Sequence, residues 1–230
     1  MLDSVQVGNT DSTASGPTIV LCHGIGADAE DLAPLAQEIP MVGKVRWLFP
    51  QAPYRFQMAW GAGRAWFPRD PAGVESFLSG ETFASLAEVD PPGLGDASRE
   101  LMELMDRMGC DPAQTVVGGF SQGAMVAADT TLRLPRLPAG LLLLSGSIIA
   151  ADRLRGLADE RTAELRGLRV AGYHGHEDPV LPFESGQALA KLFESAGATV
   201  RFTAFSGGHG IPQSMFPSIA EQLDEMLGFH

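Results

Sequence analysis

Short runs of apolar residues recur along the chain and are typical of strands in a parallel sheet. We interpret each run as continuously apolar, which is the pattern of strands covered on both faces. The opening residues predict a further short strand followed by a polar turn. The six internal runs are PTIVLCHG (17–24), KVRWLFP (44–50), QTVVGGFS (114–121), AGLLLLSG (139–146), LRVAGYHG (168–175) and TVRFTAF (199–205).

Segments with helical periodicity lie between these runs. They predict an α/β fold with a mostly parallel central sheet flanked by helices, because parallel neighbours need a crossover connection. A length of 230 residues fits a single domain over 1–230. The helical segments are DLAPLAQEI (31–39), ASRELMELMDRM (97–108), SQGAMVAADTTLRL (121–134) and SGQALAKLFESAG (185–197).

One stretch interrupts the alternation of strands and helices. Residues 69–96 are punctuated by prolines and are too long for a simple connection. Loops of this length are uncommon and often functional. The segment predicts a short lid-like insertion over the carboxyl edge of the sheet, in which Phe77 and Phe83 would line a substrate channel.

Composition and charge exclude several classes of partner. The net charge of −12 and a pI near 4.7 disfavour nucleic acid and anionic lipid. Cys22 and Cys110 are too few for a disulfide framework and predict a reducing, cytoplasmic location. The longest apolar stretch, residues 139–151, is shorter than the roughly 18 residues of a membrane helix. We therefore expect no integral membrane association. The opening residues do not resemble a secretory signal.

A candidate nucleophile lies in Gly119-Phe120-Ser121-Gln122-Gly123, a G-x-S-x-G pattern between a strand-like run and a helical segment. A serine on a tight strand-to-helix turn needs small neighbours, because a Cβ at either glycine would collide with the adjoining strand and helix. The helix N-terminus offers the N–H of Gln122 to a developing oxyanion. The alternative is a serine that only caps the helix.

A serine nucleophile needs a base, and the base needs an orienting acid. Asp178 follows the run LRVAGYHG, and His209 follows TVRFTAF. This order of serine, acid and histidine is that of the α/β-hydrolases. Glu177 and Asp152 are weaker candidates for the acid, and a plain surface-loop histidine is the alternative for His209.

A second oxyanion donor is expected from a glycine-containing loop after an early strand, which Cys22-His23-Gly24-Ile25-Gly26 supplies. The N–H of Ile25 could pair with that of Gln122. His23 fits a structural, hydrogen-bonded role in this loop better than a catalytic one, because it lies upstream in the wrong order.

Two other motifs suggest different functions. Gly24–Ala29 fits the dinucleotide pattern G-x-G-x-x-A, with Arg46 as a possible phosphate contact, and would indicate a nucleotide-binding oxidoreductase. His174-x-His176-x-Asp178 has metal-ligand residue types at close spacing, although a hydrolytic zinc site needs more convergent ligands. A third alternative is a non-catalytic binding module with the hydrolase fold.

Taken together, the motifs resemble the phospholipase/carboxylesterase family of small α/β-hydrolases, which includes the acyl-protein thioesterases and bacterial carboxylesterases. The resemblance extends from residue 19 to 212, with departures in the long segment 69–96 and in His176. The matching stretches are VLCHGIGADAEDL, FPQAP, RAWF, GGFSQGA, HGHEDPVLP and the late GGH.

The resemblance implies the α/β-hydrolase fold and cofactor-free hydrolysis of esters or thioesters. It also implies specific roles: Ser121 as nucleophile, Asp178 as acid, His209 as base, the N–H groups of Ile25 and Gln122 as oxyanion hole, and Trp66 near the acyl pocket. We therefore expect a serine esterase or thioesterase that acts on small-molecule acyl substrates of short to medium chain length through an acyl-enzyme, with no metal.

Overall fold

The three-dimensional structure is a computed structural model. It describes residues 1–8, 16–58, 61–68, 72, 74–75, 87–88 and 90–229.

Seven of the described strands form one sheet: β1 (Ser4–Gly8), β2 (Thr18–Cys22), β3 (Arg46–Pro50), β6 (Thr115–Phe120), β7 (Gly140–Leu144), β8 (Arg169–Gly175) and β9 (Thr199–Phe205). They lie in the order β1-β3-β2-β6-β7-β8-β9. All neighbours in it are parallel except β1, which pairs antiparallel with β3 at one edge. The remaining two, β4 (Tyr54–Met58) and β5 (Gly61–Ala65), form a separate antiparallel hairpin.

Helices cover both faces of the large sheet, and the buried apolar residues form one cluster on each side. One cluster includes residues of α3 (Leu94–Arg107), α4 (Gln122–Arg133), α5 (Ala151–Asp159), α6 (Thr162–Leu165) and α7 (Phe183–Ser195). The other includes residues of α1 (Ala29–Leu32), α2 (Leu35–Glu38) and α8 (Phe216–Leu227). Short 3₁₀ turns lie at Pro112–Gln114 and Gln213–Met215.

The predicted pattern of strands and helices is largely confirmed. All six internal apolar runs are strands, and β2, β3 and β7 are buried along their whole length. The expectation that each run is covered on both faces is wrong for β9, in which only Phe205 is buried. The run has polar residues at alternate positions, Thr199, Arg201 and Thr203, and β9 lies at the end of the sheet, where it pairs with β8 alone.

Several elements were not predicted. The pattern over 31–39 predicts one helix, but the structure has the two short helices α1 and α2 there. The sequence pattern also does not predict the hairpin β4–β5 or the helices α5, α6 and α8.

Within the described residues, no helix is both long and apolar enough to cross a membrane.

The predicted insertion over 69–96 is described only at a few positions and from Asp90 onward. Its last residues begin α3 at Leu94, so the end of the segment belongs to a helix. Val74 is buried, whereas Phe77 and Phe83 lie outside the described residues. The lid and its lining phenylalanines therefore stay a prediction.

Candidate active site

Ser121 lies on the turn between β6 and α4, in a backbone conformation that residues other than glycine rarely adopt. Its φ is 55° and its ψ is −120°. Its N–H donates to the carbonyl oxygen of Leu144 at the end of β7, with an N···O distance of 2.8 Å. Strained residues of this kind cluster at active sites, where the surrounding structure holds them in place.

The two glycines of the G-x-S-x-G pattern are there for the steric reason the sequence suggested. A Cβ on Gly119 would lie 2.3 Å from the carbonyl oxygen of Gly123, and a Cβ on Gly123 would lie 2.1 Å from that of Cys22. Both obstacles are backbone atoms that cannot move independently. The loop after β2 also passes beside the serine, because a Cβ on Gly24 would be 3.3 Å from the Cβ of Ser121.

The structure brings Asp178 and His209 together from the loops that follow β8 and β9. The Nδ1 atom of His209 is 2.8 Å from the Oδ2 atom of Asp178. The imidazole also packs against the ring of Phe120, with 4.9 Å between the ring centroids. Because Phe120 directly precedes Ser121, this contact places His209 next to the strained turn.

The Asp178 carboxylate is buried and accepts hydrogen bonds on both oxygens. Its Oδ1 accepts from the N–H groups of Val180 at 2.8 Å and Leu181 at 2.9 Å, and its Oδ2 faces His209 and His174. Burial acts most strongly and raises the pKa, but the hydrogen bonds from the two histidines and the two N–H groups outweigh it. The pKa of Asp178 is therefore well below its usual range, and the group is anionic.

His174 is a contributor to this site that the sequence interpretation did not identify. Its Nε2 atom is 3.0 Å from the carbonyl oxygen of Leu181 and 3.3 Å from Oδ2 of Asp178. Both partners are acceptors, so Nε2 carries the proton. A Cβ on Gly186 of α7 would lie 2.2 Å from the Nδ1 atom of His174, so that glycine leaves room for the ring.

The metal-ligand interpretation of His174, His176 and Asp178 is not supported by their positions. His176 is exposed and packs against the ring of Phe183 at a centroid distance of 4.5 Å, while His174 donates to the site carboxylate. Across the part of the chain that the structure describes, no three His, Cys, Asp or Glu side chains are grouped to hold a metal ion.

His23 fixes the loop that would supply Ile25 to the oxyanion hole. Its Nδ1 donates to the carbonyl oxygen of Gly24 at 2.7 Å, and its Nε2 accepts from the N–H of Ala52 at 3.1 Å. Burial lowers the pKa of His23 to about 4, so the ring is neutral at pH 7. This arrangement agrees with the structural role expected for His23.

The hairpin β4–β5 holds the same loop from the other side. Gly26 donates its N–H to the carbonyl oxygen of Arg64 at 2.8 Å, and Arg64 returns a bond to the carbonyl oxygen of Ala27 at 3.2 Å. The indole N–H of Trp66 donates to the carbonyl oxygen of His23 at 2.8 Å. The loop is therefore fixed before any substrate arrives, as an oxyanion site requires.

Gln122 connects the nucleophile helix to the end of the hairpin. Its side-chain oxygen accepts from the N–H of Trp66 at 2.9 Å, and its side-chain nitrogen donates to the carbonyl oxygen of Phe67. Its backbone N–H is at the first position of α4, where intrahelical acceptors are missing. Trp66 itself is fully buried. Its place near the acyl pocket stays a prediction.

The dinucleotide interpretation of Gly24–Ala29 fails on two observations. The helix that follows, α1, has only four residues, is capped by Asp28 and carries further acidic side chains in its first turn, which would repel a pyrophosphate. Arg46 is buried and donates to Thr18 and to the carbonyl oxygen of Met108. Thr18 begins β2, so Arg46 lies at the opposite end of the strand from the glycine loop.

Comparison with known proteins finds relatives named as a thioesterase, a carboxylesterase and an esterase. The chain is 24% identical over 222 residues to acyl-protein thioesterase 1 of Gibberella zeae, covering 92% of this chain and 88% of the relative. It is 26% identical over 203 residues to the carboxylesterase SOBER1 of Arabidopsis thaliana, covering 84% and 82%. The crystal structure of esterase PE8 superposes with a TM-score of 0.73 at 28% identity, covering 98% of this chain and 99% of that one.

A family-level match extends over almost the whole chain. The family described as Phospholipase/Carboxylesterase matches residues 4–227. The mostly parallel sheet with helices on both faces is the α/β-hydrolase architecture that the sequence predicted. The match includes the turn at Ser121 and the loops that carry Asp178 and His209. The chain belongs to the phospholipase/carboxylesterase family of α/β-hydrolases.

Proposed function

We propose that the protein is a serine carboxylesterase or thioesterase with Ser121, His209 and Asp178 as its catalytic triad. The observation that carries this proposal is the Asp178–His209 hydrogen bond beside the strained turn at Ser121. The base and its orienting acid come from two separate loops, and the Phe120 contact puts the base beside the turn that carries the serine. This arrangement supports a serine that is activated by His209.

In the proposed reaction, the Nε2 atom of His209 takes the proton of the Ser121 hydroxyl as its oxygen attacks the acyl carbonyl carbon. The tetrahedral intermediate collapses, His209 protonates the leaving alcohol or thiol, and an acyl-enzyme remains. A water molecule, deprotonated by His209, then attacks the acyl carbonyl carbon. The second tetrahedral intermediate breaks its bond to the Ser121 oxygen, which takes the proton back from His209, and the carboxylic acid leaves.

The oxyanion would be stabilised by the N–H groups of Ile25 and Gln122. Losing one donor in such a site costs about 2.7 to 4 kcal/mol of transition-state stabilisation. Both donors are backbone groups, so their positions depend on the contacts of His23, Trp66 and the Gln122 side chain.

Asp178 orients His209 and stabilises the imidazolium that forms during each step. Its pKa, held below the usual range by four hydrogen bonds, keeps it anionic throughout. It does not itself take a proton. His174 supports Asp178 from the side of the protein interior.

The substrate class proposed is a small-molecule ester or thioester with a short-to-medium acyl chain. The names of the relatives, an acyl-protein thioesterase and a carboxylesterase, support both leaving groups. Each added CH₂ buried in an acyl channel would contribute about 0.8 kcal/mol until the channel is full. Because both Cys22 and Cys110 are free, we keep the cytoplasm as the proposed location.

The experiment is hydrolysis of p-nitrophenyl esters from acetate to palmitate, with an acyl thioester beside them. Labelling with a serine-reactive fluorophosphonate identifies the nucleophile independently of substrate. We expect activity and labelling in the wild type and neither in Ser121→Ala. Labelling that persists in Ser121→Ala would move the nucleophile to another serine, and an unlabelled wild type would favour a non-catalytic binding module.

A further inference from the structure

Ser145 directly follows β7 and has a strained backbone outside the proposed triad. Its φ is 45°, in the region that glycine occupies without strain and other residues rarely adopt. The residue is fully buried, and its N–H donates to the carbonyl oxygen of Tyr173 at 2.8 Å. A non-glycine residue held in this way is a candidate for a functional role.

The Ser145 hydroxyl contacts the loop that carries the proposed base. It donates to the carbonyl oxygen of Gly210, the residue after His209, with an O···O distance of 3.2 Å. A glycine at position 145 would relax the backbone, but it has no hydroxyl to make this bond. The serine hydroxyl therefore makes a hydrogen bond to the histidine loop that glycine, the residue favoured at this φ, could not make.

On the N-terminal side of His209, the same loop is attached to the residues that follow β8. The N–H of Gly207 donates to the Oε2 atom of Glu177 at 2.5 Å, and the N–H of Glu177 donates to the carbonyl oxygen of Gly207 at 3.0 Å. A Cβ on Gly175 would lie 2.3 Å from that same carbonyl oxygen, so this approach is close. The Ser145 bond is thus a second attachment, on the C-terminal side of the histidine.

Residues 144 and 145 together connect the nucleophile and the base. The carbonyl oxygen of Leu144 accepts from the N–H of Ser121, and the hydroxyl of its neighbour Ser145 donates to the carbonyl oxygen of Gly210. The backbones of Ser121 and of the residue after His209 are therefore held by two consecutive residues. This short connection joins the backbone of the proposed nucleophile to that of the residue after the proposed base.

We infer that Ser145 is a positioning residue that sets His209 against Ser121 through the Gly210 carbonyl. This inference rests on the proposed function, because it takes His209 as the base. The Asp178 bond fixes the Nδ1 side of the imidazole ring, but the path of the backbone also decides where Nε2 points. Small displacements of such groups reduce catalytic rates strongly, by about 100-fold for 1 Å.

The test compares Ser145→Gly and Ser145→Ala with a matched control, Ser147→Ala. Ser147 is a buried serine in the same loop, but its hydroxyl donates to the carbonyl oxygen of Ile148 and not to the histidine loop. Three quantities are measured: the urea midpoint of unfolding, the constants KI and kinact for fluorophosphonate inactivation, and hydrogen exchange of the backbone amides over 206–210.

We expect Ser145→Gly to unfold near the wild-type midpoint, because relief of the strained φ offsets the lost hydrogen bond. Its kinact should still fall by about tenfold or more, with KI unchanged and faster exchange over 206–210. Ser145→Ala should show the same loss of kinact with a lower midpoint. Ser147→Ala should retain wild-type kinact and exchange.

A purely structural role predicts a different result: Ser145→Gly would keep its kinact along with its stability. A kinact within about twofold of wild type, or unchanged exchange over 206–210, therefore overturns the inference. Failure of the proposed function is distinguishable, since the wild type would then not be labelled at all. In that case, exchange alone decides whether Ser145 holds the histidine loop.

Discussion

Replacing Asp178 by asparagine is expected to remove most of the activity without unfolding the protein. A carboxylate accepts on both oxygens, whereas an amide offers one acceptor oxygen and one NH₂ donor. The N–H groups of Val180 and Leu181 bind Oδ1 and cannot change role, so the amide oxygen stays with them. The NH₂ group then faces the Nδ1 atom of His209 and the Nε2 atom of His174.

The magnitude follows from the tautomer that this donor selects. Nδ1 of His209 must accept from the amide, so the ring proton moves to Nε2, which can no longer accept the proton of Ser121. In another serine hydrolase such a change lowers kcat by about 10⁴-fold, which corresponds to about 5.5 kcal/mol of transition-state stabilisation. His174 keeps its bond to the carbonyl oxygen of Leu181, so we expect a loss of only about 1–3 kcal/mol in the free energy of unfolding.

The assay is kcat/KM for p-nitrophenyl acetate, with urea unfolding on the same samples. The matched control is Glu177→Gln, one residue away. The Oε2 atom of Glu177 accepts from the N–H of Gly207, and glutamine retains an acceptor oxygen, so we expect an activity change of only about threefold or less. A folded Asp178→Asn enzyme whose kcat/KM fell by less than about 100-fold would refute the reasoning. A loss of kcat/KM in Glu177→Gln larger than that in Asp178→Asn would identify Glu177 as the acid.

Three further predictions test other parts of the site. Gly123→Ala should lower the free energy of unfolding by about 3 kcal/mol, because its Cβ would meet the carbonyl oxygen of Cys22 at 2.1 Å; Gly156→Ala, with nothing within 4 Å, should raise it by about 0.5–1 kcal/mol, and equal effects in urea would contradict the steric explanation. Burial lowers the pKa of His23 from 6.5 to about 4. The unfolded chain therefore binds an extra proton between these values, and stability should fall as pH drops through this window, by up to roughly 3 kcal/mol; urea titrations of His23→Asn should show a flatter pH dependence, and a slope equal to wild type would exclude His23 as its source. Phe77→Ala and Phe83→Ala should shift the preferred acyl length in the p-nitrophenyl series while sparing acetate; a parallel loss for all chain lengths and of thermal stability would make the segment ordinary core packing.

The sequence alone determined the architecture and the three proposed triad positions. Apolar runs separated by helical segments indicate a parallel sheet with helices packed against it, and this pattern is local enough to be visible in single segments. The glycines beside Ser121 reflect a turn in which any Cβ would collide with backbone, so steric necessity appears directly as residue type. The order of Ser121, Asp178 and His209 after successive strands indicates that their loops meet at one edge of a parallel sheet.

The tertiary structure alone decided which other residues support this site. Nothing near His174 in the sequence shows that its Nε2–H donates to Asp178 and that the ring does not bind a metal. Nothing near Ser145 shows that its hydroxyl reaches the carbonyl oxygen of Gly210. These contacts join residues far apart in the chain, and their energies depend on packing that exists only once the sheet has formed.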